Sequence, residues 1–162
     1  MLPVNENVKR LEDRENIRLV ISKAGSLLDE RNYEEYINLF SKNGRYILEA
    51  NSSEIGETMS WLDMPRDELS ALLEESPQHV HDLAERMHIV GVDEILFDGE
   101  GGVAVVISSF SVFRTDTSGL TQVYAVGRYY DNLIKLERDW KISERIVRVQ
   151  TRMFRTPTPT PL

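Results

Sequence analysis

Four long runs of alternating residues fill the second half of the chain, and they constrain the fold more than anything else in it. Residues 86–97, 103–114, 120–134 and 140–153 each alternate apolar with polar side chains, the period of a strand with one buried face. The connections are short turn formers: Asp98-Gly99-Glu100-Gly101-Gly102, Thr115-Asp116-Thr117-Ser118-Gly119 and Lys135-Leu136-Glu137-Arg138-Asp139. Such runs exceed the usual strand of about five or six residues. Consecutive long strands joined by tight turns form an antiparallel meander, and strands of that length must twist and curl around something.

The first half supplies what they curl around. In residues 5–28, Val8, Leu11, Ile17, Val20, Ile21, Ala24, Leu27 and Leu28 recur at helical spacing, with Arg10, Asp13, Arg14 and Arg18 on the other face. After the break Asp29-Glu30-Arg31-Asn32, a short helix over 33–40 places Tyr33, Tyr36, Ile37 and Phe40 together. Residues 45–50 read as a strand and 51–57 as a polar loop. A third helix starts with Pro65 at its first position and ends near Ser76-Pro77, and 78–85 are either a last helical turn or coil. Helices first and strands last give an α+β cone: N-terminal helices packed on a strongly curved, mainly antiparallel sheet. The expectation is a single domain over 1–155 and a proline-rich tail over 156–162 that runs as an extended arm along a partner.

Composition narrows the chemistry. The 162 residues are 41% hydrophobic and 28% charged, an ordinary globular mixture, with a net charge of −8 that disfavours nucleic acid. No apolar run approaches the length of a membrane span and no secretory signal is visible, so a cytoplasmic location is expected. There is no cysteine, hence no thiolate nucleophile, zinc ribbon or iron–sulfur ligand set in these residues, and His79, His81 and His88 are the three histidines. His79, His81, Asp82, Glu85 and His88 have the residue types of an iron site. Their spacing argues against it, because a helix points i and i+2 apart and a helix-to-strand switch separates both from His88. The expectation is no metal and no cofactor in this chain.

His88 alternates with Val90 and Val92, so it faces the cone's interior as an acid/base candidate that Asp131, Tyr129 or Tyr46 could orient. The glycines at 99–102 lack a following helix and read as a hairpin, not a phosphate cradle. The last strand carries Arg138, Lys141, Arg145, Arg148, Arg152 and Arg155 against Asp139 and Glu144. Alternation puts Glu144, Arg148 and Arg152 on one face, and Lys141, Arg145, Val147, Val149 and Thr151 on the other. Arginine's planar fork suits bidentate pairing with carboxylates, so Arg128, Tyr129, Trp140, Arg145, Arg148 and Arg152 are expected at a protein interface.

Several stretches together resemble a known family: Leu28-Asp29-Glu30-Arg31-Asn32-Tyr33-Glu34-Glu35-Tyr36 with Leu39-Phe40, Tyr46, and Trp61-Leu62 after Met59. The later ones are Arg86 with His88, Ser108, Phe110 and Val112, Tyr124 with Val126-Gly127-Arg128-Tyr129 and Asp131, Trp140-Lys141-Ile142 with Arg145, and Thr151-Arg152. From about Glu15 onward the chain resembles the small (beta) subunit of aromatic-ring-hydroxylating dioxygenases, the Rieske non-haem iron oxygenases. The resemblance implies the nuclear-transport-factor-2 (NTF2) or scytalone-dehydratase fold and a non-catalytic, structural role. It also implies a homotrimer beneath three large alpha subunits in an alpha3beta3 assembly, with the Rieske 2Fe–2S cluster and mononuclear iron on the alpha subunit. The substrate implied is aromatic, with chain length pointing to the benzoate, anthranilate or salicylate branch. The rival reading is a stand-alone dehydratase, isomerase or cyclase of the same fold using His88 with Asp131 or a tyrosine. It predicts an enclosed cavity with both groups exposed to it, whereas the subunit reading predicts a narrow or collapsed one and exposed patches on the isolated protomer.

Overall fold

The computed structural model describes residues 4–79, 82–99, 102–156 and 160–162. Helix α1 (Val4–Asp29) and a single-turn-and-a-half α2 (Tyr33–Asn38) precede β1 (Phe40–Ser52), β2 (Glu57–Pro65) and α3 (Arg66–His79). Four strands follow: β3 (Glu85–Asp98), β4 (Val103–Thr115), β5 (Thr121–Leu136) and β6 (Asp139–Val149). They form one six-stranded sheet in the order β2-β1-β6-β5-β4-β3, in which β1 and β6 run parallel and every other pair is antiparallel. The meander expected from the alternating runs is therefore present, and β1 and β2 extend it on the far side of β6.

The helices lie in the concavity. Ile17, Ile21, Ala24, Leu27 and Leu28 of α1 are buried, and the helix packs on β3 and β6. Each fully buried aliphatic side chain contributes about 1.5–3 kcal/mol. Val8 and Leu11, expected on the same apolar face, are exposed, because the first turns are held by polar contacts instead. Asp13 Oδ1 accepts hydrogen bonds from Trp140 Nε1 at 2.9 Å and Lys135 Nζ at 2.5 Å, while Arg10 and Arg14 lie over the Phe97 ring. Arg31, at φ +57°, reverses the chain after α1, and Asn32 caps α2 by accepting from Glu35 N–H.

Several boundaries differ from expectation. Phe40 opens β1 instead of closing α2, and Pro65 ends β2 instead of starting α3. Strand β2 has no counterpart in the expected elements beyond Glu57, which closed the expected polar loop, because its outer positions are exposed and it pairs along one edge only. Pro77 sits in the last turn of α3, where it cannot bond the Leu73 carbonyl, and the helix ends two residues later. Strand β6 stops at Val149, four residues early. Ser143 is an extra residue opposite β5, between the pairs Asn132↔Glu144 and Leu133↔Ile142, and its hydroxyl donates to Asn132 O. That bulge puts Lys141 and Arg145 on opposite faces, correcting the alternation assumed for them.

Candidate functional site

Strand register builds the polar interior. Tyr46 on β1 stands beside Arg145 on β6, which stands beside Asp131 on β5, then Val106 on β4 and Ile95 on β3. Five strands thus contribute one inward-facing rung. Arg145 Nε and Nη2 donate to the two Asp131 oxygens at 2.7 and 2.8 Å, and both side chains are all but fully buried. Burial alone would lower the arginine's pKa, but the charge and hydrogen bonds of Asp131 outweigh it and hold the guanidinium firmly protonated. The guanidinium also lies 4.4 Å over the Tyr129 ring, which stacks on Phe110 at 4.3 Å. Desolvation pushes the Tyr36 hydroxyl up to about 12 and raises Tyr46 and Tyr129 well above the usual phenol range.

His88 lies elsewhere. It pairs with Val112 on β4, whereas Asp131 pairs with Val106, six positions and about 20 Å along that strand. Asp131 therefore does not orient His88. Asp29, the last residue of α1, does: its Oδ2 accepts the His88 backbone N–H at 2.7 Å and its Oδ1 lies 2.5 Å from the ring Nδ1. Gly25 makes this approach possible, since a Cβ there would sit 2.9 Å from His88 Cβ. The imidazole is buried, and its Nε2, like the Tyr36 hydroxyl, has no hydrogen-bond partner among the described residues.

The mouth of the cone is a cleft of about 230 Å³ bounded by Leu28, Asp29, Tyr33, Pro77, Asp82 and Arg86, among others. Arg114 Nε and Nη2 donate to Asp82 at 3.0 and 2.6 Å and hold its carboxyl below the usual range. The tail does not leave as an arm. Residues 157–159 lie outside the described residues, but Thr160 lines the cleft and Leu162 is fully buried, its N–H donating to Tyr46 Oη at 3.2 Å. Tyr124 Oη donates to Thr156 O, and Phe154 packs edge-on to Trp61.

Of the six residues expected at an interface, three are internal. Tyr129, Trp140 and Arg145 are 1–3% exposed in the single chain, because their strand positions face the helices. The other three share the outer face: Arg128, Arg148 and Arg152 line a groove of about 530 Å³ with Asn51, Ser53 and Tyr130. Arg148 donates to Glu49 at 2.7 Å and lies over the Tyr130 ring; Arg152 lies 3.7 Å from Glu54. Around the corner of the sheet, Met87 on β3 and Val123 on β5 flank Phe113 on β4, and both are largely exposed. Among the described residues no three His, Asp or Glu side chains converge on a possible metal position. His81 lies outside the described residues, as does the side chain of His79. With no cysteine, these residues offer no thiolate to a Rieske cluster. No helix among the described residues is long and apolar enough to cross a membrane.

Two partners escaped the sequence reading. Asp29 sat in a stretch read only as a helix breaker, and Leu162 in a tail read as an arm. Its apolar side chain after three Thr-Pro pairs was the available signal.

Comparison with known proteins places these features in context. The SnoaL-like domain family matches residues 9–146. The methanesulfonate monooxygenase hydroxylase subunit beta of Methylosulfonomonas methylovora is 30% identical over 123 residues, covering 71% of this chain and 68% of its own. The 2-aminobenzenesulfonate 2,3-dioxygenase subunit beta of an Alcaligenes species is 19% identical over 136 residues, covering 84% and 90%. In fold, the beta subunit of a candidate aromatic-ring-hydroxylating dioxygenase from Novosphingobium aromaticivorans superposes with a TM-score of 0.78 at 18% identity, over 89% of this chain and 93% of that one.

Proposed function

The chain belongs to the SnoaL-like domain family, and its curated relatives are oxygenase beta subunits; from that premise we propose that it is the non-catalytic beta subunit of a ring-hydroxylating oxygenase. The observation that carries the reading is the 30% identity to a hydroxylase subunit beta across most of both chains. The geometry agrees with it. The interior Asp131 is paired with Arg145 and Asp29 is hydrogen-bonded to His88, and the chain's own Leu162 is fully buried. What remains for function is the outside.

Arg128, Arg148 and Arg152, with Tyr130, form a basic, aromatic groove that suits carboxylates on a neighbouring subunit. The exposed Met87 and Val123 beside Phe113 supply an apolar patch for burial on assembly. The proposed assembly is an alpha3beta3 complex, a trimer of this chain against three large subunits carrying the Rieske cluster and the mononuclear iron. The substrate pocket then belongs to the large subunit, and the proposed substrate is an aromatic acid. The two curated relatives act, by name, on sulfonates, so aromatic sulfonates join the carboxylates as candidates.

The test is reconstitution with the large subunit and an electron supply, assaying oxygen-dependent conversion of benzoate, anthranilate, salicylate and their sulfonate counterparts. Turnover that requires the large subunit and survives His88→Ala supports the reading. A second reading draws on the buried Asp29–His88 pair, whose Nε2 is unpartnered: an acid/base enzyme acting alone. It requires turnover by this chain by itself that His88→Ala abolishes.

A further inference from the structure

The outer face of the sheet sets two cations side by side. Arg128 on β5 is directly opposite Arg148 on β6, with Glu49 on β1 beyond Arg148 and Ser109 on β4 beyond Arg128. Side chains so placed stand about 5 Å apart at Cβ, where like charges repel. A carboxylate relieves one member only: Glu49 accepts from Arg148 Nε at 2.7 Å, from the strand on the far side of Arg128. Across β4, Asp93 accepts the Ser109 hydroxyl at 2.6 Å. Arg128 is exposed and makes no hydrogen bond, ring contact or ion pair among the described residues.

Both arginines line the groove of about 530 Å³, and a third joins them. Arg152, just past the end of β6, donates through Nη1 to Ser52 Oγ at 3.3 Å, with Nη2 3.7 Å from Glu54. Glu54 is 77% exposed, so water screens most of that attraction. Asn51, Ser53, Gln150 and Tyr130 add neutral polar groups to the lining. Three guanidiniums therefore meet two carboxylates among the described residues, and Arg128 is the one left over.

We infer that this outer groove is a binding site for a phosphate group, free or carried on a small ester. A guanidinium offers parallel N–H donors to two oxygens of one anion. A tetrahedral dianion between Arg128 and Arg148 presents an edge to each and keeps an oxygen for Arg152, and it cancels the repulsion that the sheet leaves standing. A carboxylate has one such edge and one charge, so it serves one guanidinium at a time. The binding is a property of this chain alone. Its consequence for assembly rests on the function proposed above: the same guanidiniums are offered there to the large subunit, so phosphate and that subunit compete.

The experiment titrates inorganic phosphate, phenyl phosphate and benzoate separately into the full chain labelled with ¹⁵N-arginine, at about 0.15 M sodium chloride so that loose ionic contacts are screened. The Nε–Hε signals of Arg128, Arg148 and Arg152 should move together along one saturating curve with phosphate. Whichever of phosphate and phenyl phosphate binds tighter identifies the free ion or the ester as the ligand. Benzoate should bind at least about tenfold more weakly, the scale of one charge-assisted hydrogen bond. Arg128→Gln removes no contact within the fold and should weaken phosphate binding about tenfold. Arg155→Gln removes an equal charge outside the groove, from a guanidinium bonded to Gln122, and should leave binding unchanged. Shifts that never saturate, equal losses in the two variants, or benzoate binding as tightly as phosphate would overturn the inference. Phosphate that binds the assembled complex as tightly as the free chain would uphold the site and instead remove the groove from the subunit interface.

Discussion

Asp131 on β5 and Arg145 on β6 face each other across adjacent strands and exchange two parallel hydrogen bonds of 2.7 and 2.8 Å inside the cone. A pair this buried has returned its attraction against the desolvation of both ions, so its net contribution is small while the loss of either member is not. Asp131→Ala or Arg145→Ala leaves an unpaired interior charge and should cost about 3–5 kcal/mol. The double replacement Asp131→Leu with Arg145→Met should recover most of that loss. Urea denaturation of the two single variants and the double variant measures the coupling, and additive losses would contradict it.

Alkali tests the rest of that rung. Burial raises the pKa of Tyr36, Tyr46 and Tyr129 above the unfolded value near 10. A phenol with a raised folded pKa contributes stability that is whole below the unfolded pKa and disappears as pH climbs through the folded one. Stability should therefore fall from about pH 10 upward, with Tyr36 alone responsible for about 2 kcal/mol by pH 12. Tyrosinate absorbance near 295 nm should show three of the six tyrosines ionising together with unfolding. Smooth ionisation of all six in the folded chain would contradict the buried placement.

Gly127 separates packing from chemistry. A Cβ at this position would lie 2.4 Å from Arg148 O and 2.9 Å from the Phe110 ring, and the strand backbone on that side has no room to retreat. Gly127→Ala should destabilise by about 1–3 kcal/mol through overpacking. Gly91 on the edge strand β3 has open space around it, so Gly91→Ala should be close to neutral. Thermal unfolding of the two variants compares them directly, and equal melting temperatures would contradict the account.

Asp29 ties the end of α1 to β3 through both the backbone and the ring of His88. Asp29→Ala leaves the half-buried His88 N–H and the buried ring Nδ1 without their partner and should cost about 1–3 kcal/mol. Hydrogen exchange should locate the loss at the His88 amide and in the last turn of α1. Unchanged protection at that amide would remove Asp29 from this role.

The sequence carried the architecture in its periodicities. The alternating runs set β3, β4, β5 and most of β6, and the 3.6-residue recurrence from Ile17 to Leu28 set the buried half of α1. Strand β2 was not legible, because an edge strand with little buried surface has no apolar rhythm to read. For Arg145, alternation put it correctly on the face of Val147 and Val149, but that face was expected at a protein interface and is the interior instead. Its partner was harder to see. Asp131 lies in the inward row of Tyr129 and Leu133, and a lone carboxylate in such a row requires a cation, but which one depends on a register that the Ser143 bulge shifts. Asp29 and Leu162 reach their partners across 59 and 116 residues, contacts that only the folded chain displays.

The outer arginines test the proposed assembly one step short of activity. Arg128→Glu with Arg152→Glu reverses the charge of the groove without touching the interior, so the folded chain should remain while binding to the large subunit weakens about a hundredfold or more. Unchanged binding would place the interface elsewhere.

The most direct measurement is the mass and iron content of what this chain binds when it is purified, tagged, from its own cells. The account predicts a complex with equal numbers of this chain and a larger iron-bearing subunit, showing the electron paramagnetic resonance of a Rieske cluster and oxygen-dependent turnover that the separated chain lacks. A lone monomer that converts substrate by itself, and loses that activity on His88→Ala, would contradict it.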